Sequence, residues 1–216
     1  MPDHPLATSV GCGFWFLWVT ATTFGWILGE LVNQPVVRFL GGTTYWDERL
    51  APLYWFLLTV IPGTTIGIAQ GLVLRRWTLL LLWTAASAFA WSIGEIADLV
   101  TILVVAGRLG TWPPGVPLAW HWLVKWLVVG LSAGVLHRLV LRRKGLYAGW
   151  WMLASTVGWT IGGLAMQFVS GEFSFGMEFV VGGLLAGGIT GAFFVVEARR
   201  PSLTQLPPPE PPRVGR

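Results

Sequence analysis

The sequence predicts an all-α fold: a polytopic membrane helix bundle of six transmembrane helices arranged as three parallel helical-hairpin repeats. Three observations predict it. The first is composition. Of 216 residues, 54% are hydrophobic and 11% charged, against about 25% charged in an ordinary soluble domain, and six apolar windows reach the length of about 20 residues that a helix needs to cross a bilayer. These windows are residues 14–33, 52–74, 77–98, 119–141, 147–169 and 176–196. The second is recurrence. Trp18, Thr22, Gly25, Trp26, Gly29 and Glu30 return as Trp83, Ser87, Ala90, Trp91, Gly94 and Glu95, and again as Trp151, Ser155, Gly158, Trp159, Gly162 and Gly163. A partner pattern, Gly63, Gly67 and Gln70, returns as Gly130, Gly134 and His137 and as Gly183, Gly187 and Thr190. Self-similarity at a fixed period is the signature of a repeat architecture. The third is charge placement: Arg75, Arg76, Arg138, Arg142, Arg143, Lys144, Arg199, Arg200, Arg213 and Arg216 follow the even spans, whereas only Arg38, Arg49 and Arg108 fall in the other loops. Ten against three is a positive-inside bias that puts both termini in the cytoplasm.

Residues 1–13 form a cytoplasmic N-terminal segment with no basic n-region, so the first span reads as a retained helix and not as a cleaved signal. The hairpins then cover 14–76, 77–144 and 147–200 within a membrane domain of 14–196. Each starts in the cytoplasm and returns there, so the repeats are parallel, unlike the inverted repeats of many transporters. The spacing agrees: Trp26 to Trp91 is 65 positions, Trp91 to Trp159 is 68 and Gly63 to Gly130 is 67, while Gly183 follows Gly130 by 53 because the third external loop is short. The apolar segments Gln34–Leu40 and Leu99–Ala106 are too short to span and continue the preceding helix or lie along the interface. Trp112-Pro113-Pro114-Gly115-Val116-Pro117 makes a stiff turn. Residues 201–216, rich in proline, read as a disordered cytoplasmic tail.

Small residues four apart carry the packing. Gly25 with Gly29, Gly63 with Gly67, Gly130 with Gly134, Gly158 with Gly162 and Gly183 with Gly187 let helix backbones approach where no hydrophobic force acts between helices. Gln70, His137 and Thr190 occupy equivalent positions and would converge in the inner half if the even helices surround one axis, either as interhelical hydrogen bonds or as a ligand or proton site. At the outer ends Glu30 and Asn33 recur as Glu95 and Asp98. A helix C-terminus disfavours anions, so a compensating cation is expected: Lys125, with His121 one turn away, pairs with Glu95 or Asp98 or shares an ion site with them. Gly163 replaces the acid in the third hairpin, with Glu172 and Glu178 nearby, so such a site is asymmetric. Pro62-Gly63 and Gly182-Gly183 mark either kinks or interrupted helices. Trp46, Trp112 and Trp120 read as interface anchors, and Trp26, Trp91 and Trp159 as repeat packing.

Cys12 is the only cysteine, which excludes an internal disulfide and a cysteine-based metal cluster within one chain. No phosphate-binding loop, His-Glu-x-x-His or nucleophile elbow occurs, so no catalytic residue, metal or cofactor is expected. The basic residues lie at membrane edges, so the expected partner is the lipid bilayer and not nucleic acid, with a second membrane protein or a further copy of the chain also open.

The Gly-x-x-x-Gly-x-x-Gln-x-x-Val-Leu-Arg-Arg run at 63–76, its near copy at 130–143 and the Trp-x-x-x-Ser-x-x-Gly-Trp-x-x-Gly run at 151–162 resemble uncharacterised multi-spanning bacterial membrane proteins. The resemblance covers most of 14–196 and implies a bacterial plasma-membrane location, with no activity attached. Three parallel two-helix repeats are also similar in plan to mitochondrial carriers, but their Pro-x-Asp/Glu-x-x-Lys/Arg signature is missing from every odd span. The expectation is a non-enzymatic structural or accessory membrane component, with a small-solute or cation transporter as the alternative.

Overall fold

The computed structural model describes residues 11–44, 51–75, 80–109, 119–143, 150–169 and 176–198. Among these residues the chain forms six helices: α1 (Cys12–Thr44), α2 (Ala51–Val73), α3 (Leu80–Leu109), α4 (Ala119–Arg142), α5 (Trp151–Val169) and α6 (Met177–Ala198). All six are long and apolar enough to cross a membrane. Each helix packs against its neighbours in sequence, and α6 packs against α1, so the six close into a ring. Two ends can be distinguished. α1, α3 and α5 run from a basic end, marked by Arg75, Arg142 and Arg143, to an acidic end, marked by Glu30, Glu95 and Glu178.

Close backbone approach builds the ring. A Cβ added at Gly25 would lie 2.7 Å from the Ile66 Cα, one at Gly63 2.8 Å from the Ala88 Cα, one at Gly130 2.7 Å from the Thr156 Cα, and one at Gly183 2.6 Å from the Thr23 Cα. These four contacts seal α1 to α2, α2 to α3, α4 to α5 and α6 to α1, and each is closer than a methyl group tolerates. Gly162 meets the Gly182 carbonyl across α5 and α6 in the same way. The outward faces carry Phe24, Leu31, Phe56, Leu81, Phe89, Ile96, Leu139, Leu153 and Leu184, all exposed. An apolar exterior around an interior of tryptophan and polar groups reverses the distribution found in proteins dissolved in water.

The apolar segments after the first and third spans continue their helices: α1 runs through Pro35 to Thr44, and α3 runs to Leu109. Neither α2 nor α6 is interrupted. Both run unbroken through Pro62-Gly63 and Gly182-Gly183, and the Thr65 hydroxyl donates to the carbonyls of Ile61 and Pro62. Gly176, with a φ of +107°, opens α6 in a backbone conformation that other residues rarely adopt, and its amide donates to the Glu178 carboxylate. Trp46, the turn around Trp112, Glu172 and the proline-rich tail lie outside the described residues.

Candidate functional site

Three levels of side chains fill the ring between its two ends. Nearest the basic end, Trp18 of α1, Trp83 of α3 and Trp151 of α5 meet around the axis with ring centroids 5.8 to 6.0 Å apart. Helical spacing sets Thr22, Ser87 and Ser155 one turn farther along the same helices, where all three are buried. The polar side chains of the even helices reach into this level. Gln70 donates from Nε2 to the Thr22 hydroxyl at 2.9 Å and accepts at Oε1 from the Trp83 indole at 3.3 Å. Thr190 accepts from the Trp18 indole at 2.9 Å. His137 bonds Ser87 through Nε2 at 2.9 Å and lies flat on Trp83, with ring centroids 3.8 Å apart and planes 7° apart. Gln70, His137 and Thr190 therefore share one level, but odd-helix hydroxyls and indoles stand between them and bond to each in turn.

The middle level is aromatic. Trp26, Trp91, Trp126 and Trp159 meet at centroid separations of 5.4 to 5.9 Å, mostly in tilted or edge-on contacts, the arrangement that aromatic quadrupoles favour. Trp126 lies against Gly163, so the residue that stands where Glu30 and Glu95 stand on the other odd helices is small because an indole takes its space.

The third level, at the acidic end, carries charge. Lys125 on α4 pairs with Glu95 on α3 at 2.8 Å, and the same carboxylate accepts from the Trp91 indole at 3.1 Å. The Lys125 ammonium also lies 5.3 Å from the Trp122 ring centre and 5.2 Å from that of Trp126, within cation–π range. Of the two acids that the sequence offered to Lys125, Glu95 takes it. Asp98 instead bonds His121 at 2.7 Å, one turn along both helices. Glu30, half-buried, lies within electrostatic reach of Lys125, Glu95 and Glu178. Asn33 is buried, and its Oδ1 has no hydrogen-bond partner among the described residues.

Chemically, most of these groups are already satisfied by protein. The axis holds a cavity of about 10 Å³ beside His137, Ser87, Trp91 and Trp159. Among the described residues no three histidine, cysteine or acidic side chains are placed to hold a metal ion. The sequence reading missed the indoles of Trp18, Trp83 and Trp91 as hydrogen-bond donors and Trp122 as a wall for Lys125. For Trp91 the signal was Glu95 one turn along the same helix; Trp18 and Trp83 donate to Thr190 and Gln70 on even helices, which spacing within one helix does not reveal. No protein-family model, curated protein or solved structure matches the chain.

Proposed function

We propose that this chain is a multi-pass membrane protein embedded as three parallel hairpins about an axis along the membrane normal, and that it serves as a non-enzymatic structural or accessory component of that membrane. The observation that carries the reading is the filled axis. Indoles occupy the middle of the ring, Glu95 and Asp98 of α3 are paired with Lys125 and His121 of α4, and the cavity beside His137 is about 10 Å³, close to the smallest volume that admits one water. A solute pathway needs a polar cavity that reaches from the inner to the outer groups, and the tryptophan layer lies between them.

The recurring contacts favour the triplicated hairpin, since Trp18, Trp83 and Trp151 meet at one level and Trp26, Trp91 and Trp159 at the next. The apolar exterior favours lipid as the surrounding solvent. The basic end faces the cytoplasm of a bacterial cell in this reading. Cys12, exposed and the only cysteine, gives a direct test of orientation: a membrane-impermeant maleimide should label it in inverted vesicles and not in intact cells, and the reverse result overturns the assignment. For the functional reading, the chain reconstituted in liposomes should leave proton and monovalent-cation gradients as long-lived as in empty vesicles, and it should co-purify with a fixed membrane partner.

The second reading, a cation or proton-coupled transporter, draws on Glu30, a third carboxylate beside the Lys125–Glu95 pair, and on the unpartnered Asn33 Oδ1 one turn away. A gradient that collapses with wild-type chain and survives with Glu95→Gln selects this reading over the first.

A further inference from the structure

The seam between α4 and α5 departs from its two counterparts at the basic end. On each even helix a glycine faces the next helix of the ring: Gly67 meets Thr84 and Ser87 of α3, Gly134 meets Met152 of α5, and Gly187 meets Val19 and Thr22 of α1. One turn farther toward the basic end α2 and α6 carry a second such glycine, Gly71 and Gly191, and a Cβ there would run into Leu80 of α3 or Trp18 of α1. The neighbouring helix fills those two seams. At the same place α4 carries Arg138.

Helical register fixes where Arg138 stands. It lies four residues past Gly134, which packs on α5, and three past Val135, which is exposed, so it occupies the edge between the packed face of α4 and its outward face. Its half-burial agrees with that position. Arg138 also falls inside the apolar window of α4, which runs from Trp120 to Arg142. At about 1.5 Å of rise per residue it stands about 6 Å short of the end of that window, at the depth where hydrocarbon gives way to headgroups. A guanidinium is always charged, and a charge at that depth needs a counter-charge. The protein supplies none. Arg138 makes no ion pair or hydrogen bond among the described residues, and the acids whose side chains are described, Glu30, Glu95, Asp98 and Glu178, all belong to the acidic end.

We infer that the outward side of the α4–α5 seam binds one anionic phospholipid of the leaflet at the basic end, with Arg138 holding its phosphate. The planar fork of a guanidinium gives a phosphate two parallel hydrogen bonds. Arg142, four residues on and exposed, adds a second positive charge along the same side of α4. No described acid stands there to receive the amine of a zwitterionic headgroup, so the lipid selected is an anionic one. Val135 and Leu139 of α4 and Leu153 of α5, all exposed, offer an apolar wall for its acyl chains. Charge at headgroup level beside hydrocarbon below it matches a phospholipid and not a free phosphate ion, and basic pockets between membrane helices on the cytoplasmic side hold lipid headgroups in this way. The site presupposes the membrane embedding proposed above and adds to it a specific lipid at one of three equivalent seams.

Native mass spectrometry of the full chain, purified in detergent and mixed with phosphatidylglycerol, phosphatidylcholine or inorganic phosphate, tests the site. One phosphatidylglycerol should stay bound, about tenfold more tightly than phosphatidylcholine. Arg138→Gln should remove about tenfold of that affinity, the scale of one charge-assisted hydrogen bond. Arg143→Gln, which takes the same charge from the exposed end of α4, should lose clearly less. Arg138→Lys keeps the charge without the fork and should fall between wild type and Arg138→Gln; it carries the test if the glutamine variant does not fold. Equal retention of the two lipids, equal losses from Arg138→Gln and Arg143→Gln, or displacement of phosphatidylglycerol by inorganic phosphate overturns the site. The embedding fails by a separate sign: a chain that stays in solution without detergent and enters nanodiscs of neither lipid overturns both.

Discussion

The two polar levels of the ring differ in kind. Toward the basic end the buried groups are uncharged: hydroxyls, a carboxamide, an imidazole and indole N–H groups, each 0% to 7% exposed. At the acidic end the groups are ions or potential ions, and the Glu95 side chain keeps 23% of its surface open. Burying an unpaired neutral group costs about 1–3 kcal/mol, whereas burying an isolated ion costs far more. Deep levels therefore use neutral groups, where a missing partner, as at the Trp151 indole and the Ser155 hydroxyl, costs far less than a bare charge would. Charges stand where α4 begins, and there each acid of α3 has one basic partner on α4, held by indoles as well. A four-tryptophan layer separates the two levels, so changes on one side should leave the other intact.

The strongest way to break this comparison is to remove one ion. Lys125→Met leaves Glu95 as an uncompensated carboxylate and should destabilise the chain by about 3 kcal/mol, the low end for broken buried pairs because Glu95 is partly exposed. Lys125→Met combined with Glu95→Gln should recover most of that loss, as read by denaturant titration in detergent. If the single variant is as stable as wild type, the pair is not buried from solvent.

Gly63 tests whether the levels are held by backbone approach. An alanine Cβ there meets the α3 backbone at Ser87 and Ala88, and Gly63→Ala should cost about 1–3 kcal/mol through overpacking. The same substitution at Gly13, where a Cβ meets nothing within 4 Å, should be neutral in the same titration.

Thr190→Val leaves the Trp18 indole without its acceptor, for a loss of about 1–2 kcal/mol. Near-ultraviolet circular dichroism should then change for the Trp18, Trp83 and Trp151 contacts and not for the Trp26 cluster. A change in both would mean that the aromatic layer does not insulate. The smallest effect is expected from Glu30→Gln, which removes a charge with no ion-pair partner among the described residues and should shift stability by less than about 1 kcal/mol.

Much of the frame could be read from the chain. The six apolar windows fall on the six helices, and the glycine pairs are the close contacts between them, because both follow from local periodicity. Lys125 was expected to pair with an acid, but two acids three residues apart on α3 are equivalent by spacing, and only the rotation of α4 against α3 assigns Glu95 to Lys125 and Asp98 to His121. The same limit applies to Gln70, His137 and Thr190. Convergence on one level follows from helical register, but the interposed Trp18, Trp83, Thr22 and Ser87 depend on the ring radius. Pro62-Gly63 looked like a possible break from sequence, yet α2 runs through it as one helix, because a proline removes a single backbone hydrogen bond and the packed neighbours hold the rest.

One seam distinguishes this ring from a linear stack. Every other interface joins helices adjacent along the chain, but α6 must find α1, where Gly183 meets Thr23, Gly187 meets Val19 and Phe14 lies 5.1 Å from Phe194. Until that seam shuts, the chain is an open arc with two complementary edges. Closure within one chain competes with exchange between two such arcs, and tethering favours the first. A permuted chain that starts at α3 and ends at α2, with α6 joined to α1 by a short linker, has its seam between α2 and α3 instead. Its yield of exchanged dimer, set against that of the natural order, measures how far the position of the seam controls assembly.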